Sequence, residues 1–330
     1  MQGEISKLLD LQKKVLQINE NNFEEIAWHV FEFQSAHNTL YRQYLAQLKR
    51  HHRAPNKLEK IPFLPIRFFK SHPVKTGNWR TERLFKSSGT KGDVRSAHHV
   101  WDESFYLHHA QTTFEKLFGP LHNFHVVCLL PSYDTAYSSL VAMARYLVAK
   151  SGSKDSGFFL DSKQKLPTII EQLNKIDRKV LLLGVSHALL DLAEAGPFAF
   201  GDDILVMETG GMKGRKAELT RRELHQKLKV GLGVTRIVSE YGMTELLSQA
   251  YTTENETFQP ASTMRVIIKE LNDPFTSTQN AGIINIIDLA NVHSCSFIET
   301  QDLGRTHSKG FEVLGRADNS EVRGCNLLIA

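Results

Sequence analysis

Cysteine is scarce in this sequence. Cys128, Cys295 and Cys325 are the only three in 330 residues, and they lie far apart with no Cys-x-x-Cys pair. An odd, dispersed set argues against a disulfide framework or a cysteine-built zinc site. Long hydrophobic runs are absent too: no stretch reaches the roughly 18 apolar residues that cross a bilayer, so no membrane span is expected. Residues 1–14 carry acidic side chains and no continuous apolar core, which leaves no secretory signal and an expected cytoplasmic address. Charge of one sign is lacking. The formal net charge is +4, with Lys and Arg spread along the chain, so no nucleic-acid partner is expected. Neither a GxxxxGK[ST] loop nor an HExxH pair occurs. The 15 histidines include the doublets 51–52, 98–99 and 108–109, but adjacent residues on a helix do not face one site, and no metal centre is expected from them.

What is present suits a globular protein: 41% of residues are hydrophobic and 23% charged. The length suits one large α/β domain or two subdomains sharing a core. Ile5, Leu8, Leu9 and Val15, then Phe23, Ile26, Ala27, Val30 and Phe31, recur at helical spacing and predict amphipathic helices over residues 4–50. Pro62 and Pro65 break that pattern, and the aromatic residues around them predict an extended stretch packed on the core. Strand-like and helix-like segments then alternate to about residue 242, the rhythm of βαβ units with a largely parallel sheet. Past that point, short β-rich segments separated by turn residues predict a mostly antiparallel subdomain. The expected division is 1–60, an N-terminal helical segment; 61–255, an α/β core binding nucleotide and acyl group; and 256–330, a β-rich subdomain.

Four short segments carry chemistry. Ser87-Ser88-Gly89-Thr90-Lys91-Gly92 follows a strand-like RLFK and precedes a predicted helix; small residues let backbone N–H groups approach phosphates, and the hydroxyls and Lys91 add donors. Most Ser/Gly loops are plain turns. Ser239-Glu240-Tyr241-Gly242-Met243-Thr244-Glu245 falls where a strand is expected to end and a helix to begin, the usual ligand position in open α/β sheets. Tyr241 can stack on a purine, Thr244 can donate to a phosphate and Glu245 can bind Mg²⁺; the ordinary alternative is a helix start with Thr244 as N-cap. Glu299-Thr300-Gln301-Asp302-Leu303-Gly304 and Gly315-Arg316-Ala317-Asp318 read as two turns, in which Asp302 can accept from ribose hydroxyls and Arg316 can reach the same sugar.

Taken together and in this order, SSGTKG, SEYGMTE, ETQDLG and GRAD resemble the core motifs of the adenylate-forming superfamily of acyl-CoA synthetases, luciferases and nonribosomal adenylation domains. The resemblance covers about residues 60–330. PFLPIRFFK, ETGGMKGR and the closing RGC are most similar to acyl-protein synthetases of the LuxE type. The resemblance implies an α/β large domain without the usual small C-terminal lid domain, and ATP and Mg²⁺ as cofactors. By position it implies that Ser87, Ser88, Gly89, Thr90, Lys91 and Gly92 lie against phosphates and that Gly210 and Gly211 flank the adenine. Tyr241, Gly242 and Met243 would line the nucleotide, Thr244 would touch the α-phosphate, Glu245 would hold Mg²⁺, and Asp302 and Arg316 would grip the ribose. The sequence departs from the superfamily where Lys91 replaces a second threonine and where a Pro-Lys-Gly is missing, Lys91 or Arg95 being the available substitutes.

The implied activity is activation of a fatty acid to acyl-AMP. Transfer to a thiol would follow, with Cys325 as acceptor or with a partner such as a reductase or carrier protein receiving the group. Cys325 as a small packing residue is the alternative, and Cys128 is expected in the core. His187 and Tyr133 are candidates for the acyl pocket; His187 is otherwise an ordinary helix-start histidine. Two other functions fit the same motifs: an aryl- or acyl-CoA ligase of the phenylacetate-ligase type, and a non-catalytic acyl- or nucleotide-binding module.

Overall fold

The computed structural model describes residues 2–48, 55–88, 94–131, 137–175, 178–210, 219–253 and 256–317. Packing divides the chain into two compact units interleaved along the sequence: residues 1–106, 245–248 and 259–330 form the first, and 107–244 with 249–258 the second. Residues 2–47 therefore pack in one unit with the β-rich segment after 259, a grouping by contacts rather than by chain order.

The second unit is built on parallel strands in the spatial order Gly157–Phe158, Phe124–Leu129, Lys179–Val185, Ile204–Thr209 and Ile237–Tyr241, with Ala250–Thr252 added antiparallel. The strands read as near-continuous apolar runs because both faces are covered. Val127, Leu182, Val206 and Ile237 meet Leu189, Leu228 and Leu232 from the helices Ser186–Glu194 and Arg221–Leu232 in one buried cluster. The second of these helices begins at a capping box, Thr220 with Glu223, and ends at Gly233 in the left-handed conformation. It lies so close to Ser186–Glu194 that a Cβ on Gly231 would meet the Ala193 Cβ at 2.7 Å.

The first unit opens with the helices Gln2–Leu16, Phe23–His37 and Thr39–Gln47, as the apolar spacing predicts. Its sheet is antiparallel: Met264–Lys269, Gly282–Asp288, Phe297–His307 and Gly310–Arg316, with Leu64–Pro65 pairing parallel to Phe297–His307. Residues 61–65 of the proline stretch are extended and largely buried as expected, but the expectation fails beyond them, where the chain turns at 66–67 into a short helix, Phe68–Ser71. Phe63 and Tyr41 pack on Phe297, and the buried Tyr41 hydroxyl donates to the Pro62 carbonyl at 2.5 Å.

Three local expectations are corrected. No helix follows Tyr241, so Thr244 is not an N-cap. The chain turns back into Ala250–Thr252, with Tyr241 opposite Ala250, because the N–H groups of Leu247 and Ser248 are taken by the buried Asp288 carboxyl. Residues 301–304 are not a turn; they continue the strand Phe297–His307, paired on one side with Gly282–Asp288 and on the other with Gly310–Arg316. The loop after Ser87 leads first into a strand, Ala97–Val100, which pairs antiparallel with Arg83–Lys86. Among the described residues no helix is long and apolar enough to cross a membrane.

Candidate functional site

In the first unit, the residues flanking the predicted phosphate loop are pinned to each other. Ser87 donates its N–H to the Ser96 carbonyl, and its hydroxyl accepts from the Ser96 N–H, both at 3.0 Å. Ser88 is exposed. The Ser96 hydroxyl hydrogen-bonds the carboxyl of Glu245. Burial pushes that carboxyl above the usual range, opposed by the Ser96 bond, its own N–H, and the charges of Arg316 and Lys70. Arg316 in turn pairs with Asp302, Nε to Oδ1 at 3.6 Å, the two standing opposite each other in the ladder. The base of the loop, Glu245 and the Asp302–Arg316 pair thus form one polar neighbourhood. Glu245 and Ser96 supply hard oxygens, a set that fits a Mg²⁺ ion taking its other ligands from phosphate and water. Among the described residues no group of three or more His, Cys, Asp or Glu could hold a metal alone.

In the second unit, His187, Gly210 and Tyr241–Gly242 fall at the C-terminal ends of three neighbouring parallel strands. His187 is half-buried on the first turn of its helix, and Gly210 is exposed with φ +74°. Tyr241 is buried and packs on Phe258, while Met243 and Thr244 are half-buried. Gly89, Thr90, Lys91, Gly92, Tyr133, Gly211 and Cys325 lie outside the described residues. Cys128 and Cys295 are fully buried, and burial pushes both thiols up to about 12, so neither is a nucleophile as it stands.

The sequence reading missed a buried acidic pair at the same strand ends. Glu208 accepts from the Ser186 hydroxyl at 2.7 Å, and its other oxygen lies 3.7 Å from both Arg221 Nε and His225 Nε2. Burial alone would raise this carboxyl; hydrogen bonds from His225, Ser239 and Ser186 and the Arg221 charge outweigh it and hold it below the usual range. Glu240 is the opposite case: burial, aided by the Glu208 charge and only partly offset by the Thr209 hydroxyl, raises it to about 7. The signal was in the sequence, since a carboxylate inside an apolar strand such as ILVMET or TRIVSEY must be paired or neutral. Ser96, Asp288 and Asn291 were also missed, and no motif announces them; Lys70 closes the PFLPIRFFK segment but was given no role there.

No protein-family model matches the chain, and no curated protein matches it significantly by sequence. Solved structures do match in fold. The O-succinylbenzoate coenzyme A synthetase MenE from Bacillus subtilis, in complex with ATP and magnesium ion, is 16% identical with a TM-score of 0.52, over 72% of this chain and 50% of that one. Apo MatB from Rhodopseudomonas palustris gives 15% and 0.51, over 74% and 50%. The anthranilate CoA ligase AuaEII, in complex with anthranoyl-AMP, gives 14% and 0.50, over 71% and 47%. The chain thus spans about half the length of these proteins, and what it shares with them is the α/β fold.

Proposed function

We propose that this chain condenses a carboxylic acid with ATP to an acyl-adenylate, with a long-chain fatty acid as substrate, and passes the acyl group to a cysteine thiol. The acceptor is Cys325 or a thiol on a partner such as a reductase or carrier protein. The observation that carries this proposal is the joining of Ser87–Ser96, Glu245 and Asp302–Arg316 in one polar neighbourhood of the first unit, although they come from three separate stretches of sequence. The fold held in common with proteins solved with ATP and magnesium ion, and with an acyl-AMP, supports it.

In this scheme Ser87, Ser88, Gly89, Thr90, Lys91 and Gly92 bind phosphates. Gly210, Gly211, Tyr241, Gly242 and Met243 line the nucleotide, Asp302 and Arg316 hold the ribose, and His187 and Tyr133 border the acyl chain. A carboxylate oxygen of the acid bonds to the α-phosphorus as the bond to pyrophosphate breaks, with Thr244 donating to the α-phosphate. Mg²⁺ on Glu245 would neutralise charge on the phosphate oxygens. Once its proton is lost to solvent, Cys325 attacks the acyl carbonyl and AMP leaves.

Exchange of labelled pyrophosphate into ATP in the presence of octanoate, dodecanoate or hexadecanoate tests the first step. Absence of exchange with every acid offered sinks it. Cys325→Ser is expected to keep exchange and lose hydroxylamine-labile acyl label; retained label moves the acceptor elsewhere. Coenzyme A as acceptor is the second possibility, supported by the coenzyme A ligases among the fold matches. Acyl-CoA formed on adding free coenzyme A would establish it.

A further inference from the structure

Residues 288–296 connect two strands of the first unit and are buried throughout: Asp288, Asn291 and Ser296 are 0% exposed and His293 2%. A buried connection must find partners for its backbone polar groups. Gln34 donates to the carbonyls of Asn291 and Val292, both at 3.1 Å, and accepts from the Ser296 N–H at 2.9 Å. Asn38 and Thr76 donate to the Ser294 carbonyl at 2.8 and 2.5 Å. The Thr76 N–H adds a bond to the His293 carbonyl at 2.8 Å. The connection is held on both flanks.

From this fixed connection two side chains grip the turn that carries Glu245. Asp288 Oδ2 accepts from the N–H groups of Leu247 and Ser248 at 2.8 and 3.0 Å, and Oδ1 from the Ser248 hydroxyl and the Ala290 N–H at 2.5 and 3.1 Å. Asn291 Nδ2 donates to the Glu245 carbonyl at 2.7 Å. Residues 242–249 belong to no helix or strand, so no ladder of their own fixes their conformation. The backbone of Glu245, Leu247 and Ser248 is set by those two side chains.

We propose that Asp288 and Asn291 are positioning residues for Glu245. They hold the turn so that its carboxyl stays beside Ser96 and is presented to a metal ion. This rests on Glu245 being the metal ligand of the proposed reaction. Changing partners that orient a ligand typically costs 10- to 100-fold in metal affinity.

The test uses the full chain with Mn²⁺ as the probe. Retention of Mn²⁺ in the presence of ATP is read by electron paramagnetic resonance, and AMP affinity is read by calorimetry. Asp288→Asn keeps the shape but turns two acceptor positions into donors, and Asn291→Ala removes the donor to Glu245. Both variants are expected to weaken Mn²⁺ retention roughly ten-fold or more, as Glu245→Gln does, with AMP affinity unchanged. A structural lesion would weaken both ligands together, and that result overturns the proposal. If Asp288→Asn does not fold, Asn291→Ala and Ser248→Ala, which removes one donor to Asp288, carry the same comparison. Should the folded variants hold Mn²⁺ like the unaltered chain while Glu245→Gln does not, the positioning role is wrong and the metal role of Glu245 stands. If Glu245→Gln also holds Mn²⁺ normally, the metal role falls and this inference falls with it.

Discussion

Asp302 and Arg316 are cross-strand partners: they occupy opposing positions of the Phe297–His307 and Gly310–Arg316 strands, and their charges meet at 3.6 Å. Just before them the register slips. Leu303 pairs with Gly315 but Gly304 with Val313, so Leu314 has no partner across the ladder and lies 45% exposed. Such a bulge re-aims the residues beyond it, and it brings Arg316 opposite Asp302. The Asp302 side chain is 14% exposed and that of Arg316 75%, so solvent screens the pair. Asp302→Ala is therefore expected to change thermal stability by less than about 1 kcal/mol. If Asp302 holds the ribose, the same variant loses most AMP affinity by calorimetry. A large drop in melting temperature with normal AMP binding would assign it a structural role instead.

Glu240 predicts a pH dependence. Its carboxyl ordinarily titrates at 4.5 and is raised to about 7 in the fold, largely by burial. Between those values the native state keeps a proton that the unfolded chain releases, so stability falls as pH rises through the window and levels off above about 7. The shift corresponds to about 3 kcal/mol. Glu208, held below the usual range, adds a slope of opposite sign only at the lower edge of the window, whereas His109 and His293, which burial lowers to about 4 and about 3, add a rise in stability up to their ordinary 6.5. Urea unfolding from about pH 5 to about pH 8 should show the stability advantage of the unaltered chain over Glu240→Gln shrinking as pH rises, the slope from His109 and His293 being common to both. Parallel lines would mean that Glu240 is charged in the fold.

Glu208→Ala should be more damaging than the exposed-pair change at Asp302. It strips the half-buried Arg221 and the buried His225 and Ser186 of a shared acceptor. Removing one partner from a buried charged cluster costs about 3 kcal/mol or more. Glu208→Gln, which keeps an acceptor for Ser186, is expected to recover part of it. Chemical denaturation curves of the two variants give the comparison.

Gly231 is required by packing. A side chain there would collide with the Ala193 carbonyl and stand 2.7 Å from the Ala193 Cβ. Gly231→Ala is expected to cost about 2 kcal/mol by forcing two closely packed helices apart. A melting temperature equal to that of the unaltered chain would show that the helices separate freely.

The parallel strands were legible because their apolar runs alternate with helical spacing, as in KVLLLG and the segment 186–195 that follows it. The N-terminal helices were legible for the same reason. What the sequence did not reveal are outcomes of tertiary hydrogen bonding. The segment after Tyr241 has the apolar content of a helix, but Asp288, 41 and 40 residues beyond Leu247 and Ser248, captures their N–H groups. Gln301–Gly304 has the composition of a turn, but strands on both sides pair with it. The motif residues Glu245, Asp302 and Arg316 were identifiable by their order along the chain. Ser96 acts on Glu245 through proximity alone, and no local pattern marks it; Lys70 lies at the end of PFLPIRFFK, a pattern that did not reveal its nearness to Glu245.

The interleaving of the two units sets an order for biosynthesis. A chain leaving the ribosome presents every strand of the parallel sheet, and the last residues of that unit at 249–258, before residue 288 has been made. Gln34 and Asn291 are separated by 257 positions, and Asn38 and Ser294 by 256. The helix Phe23–His37 thus waits for these partners, with Phe31 lacking Phe297 meanwhile, and it is during that delay that a nascent chain is most in need of a chaperone.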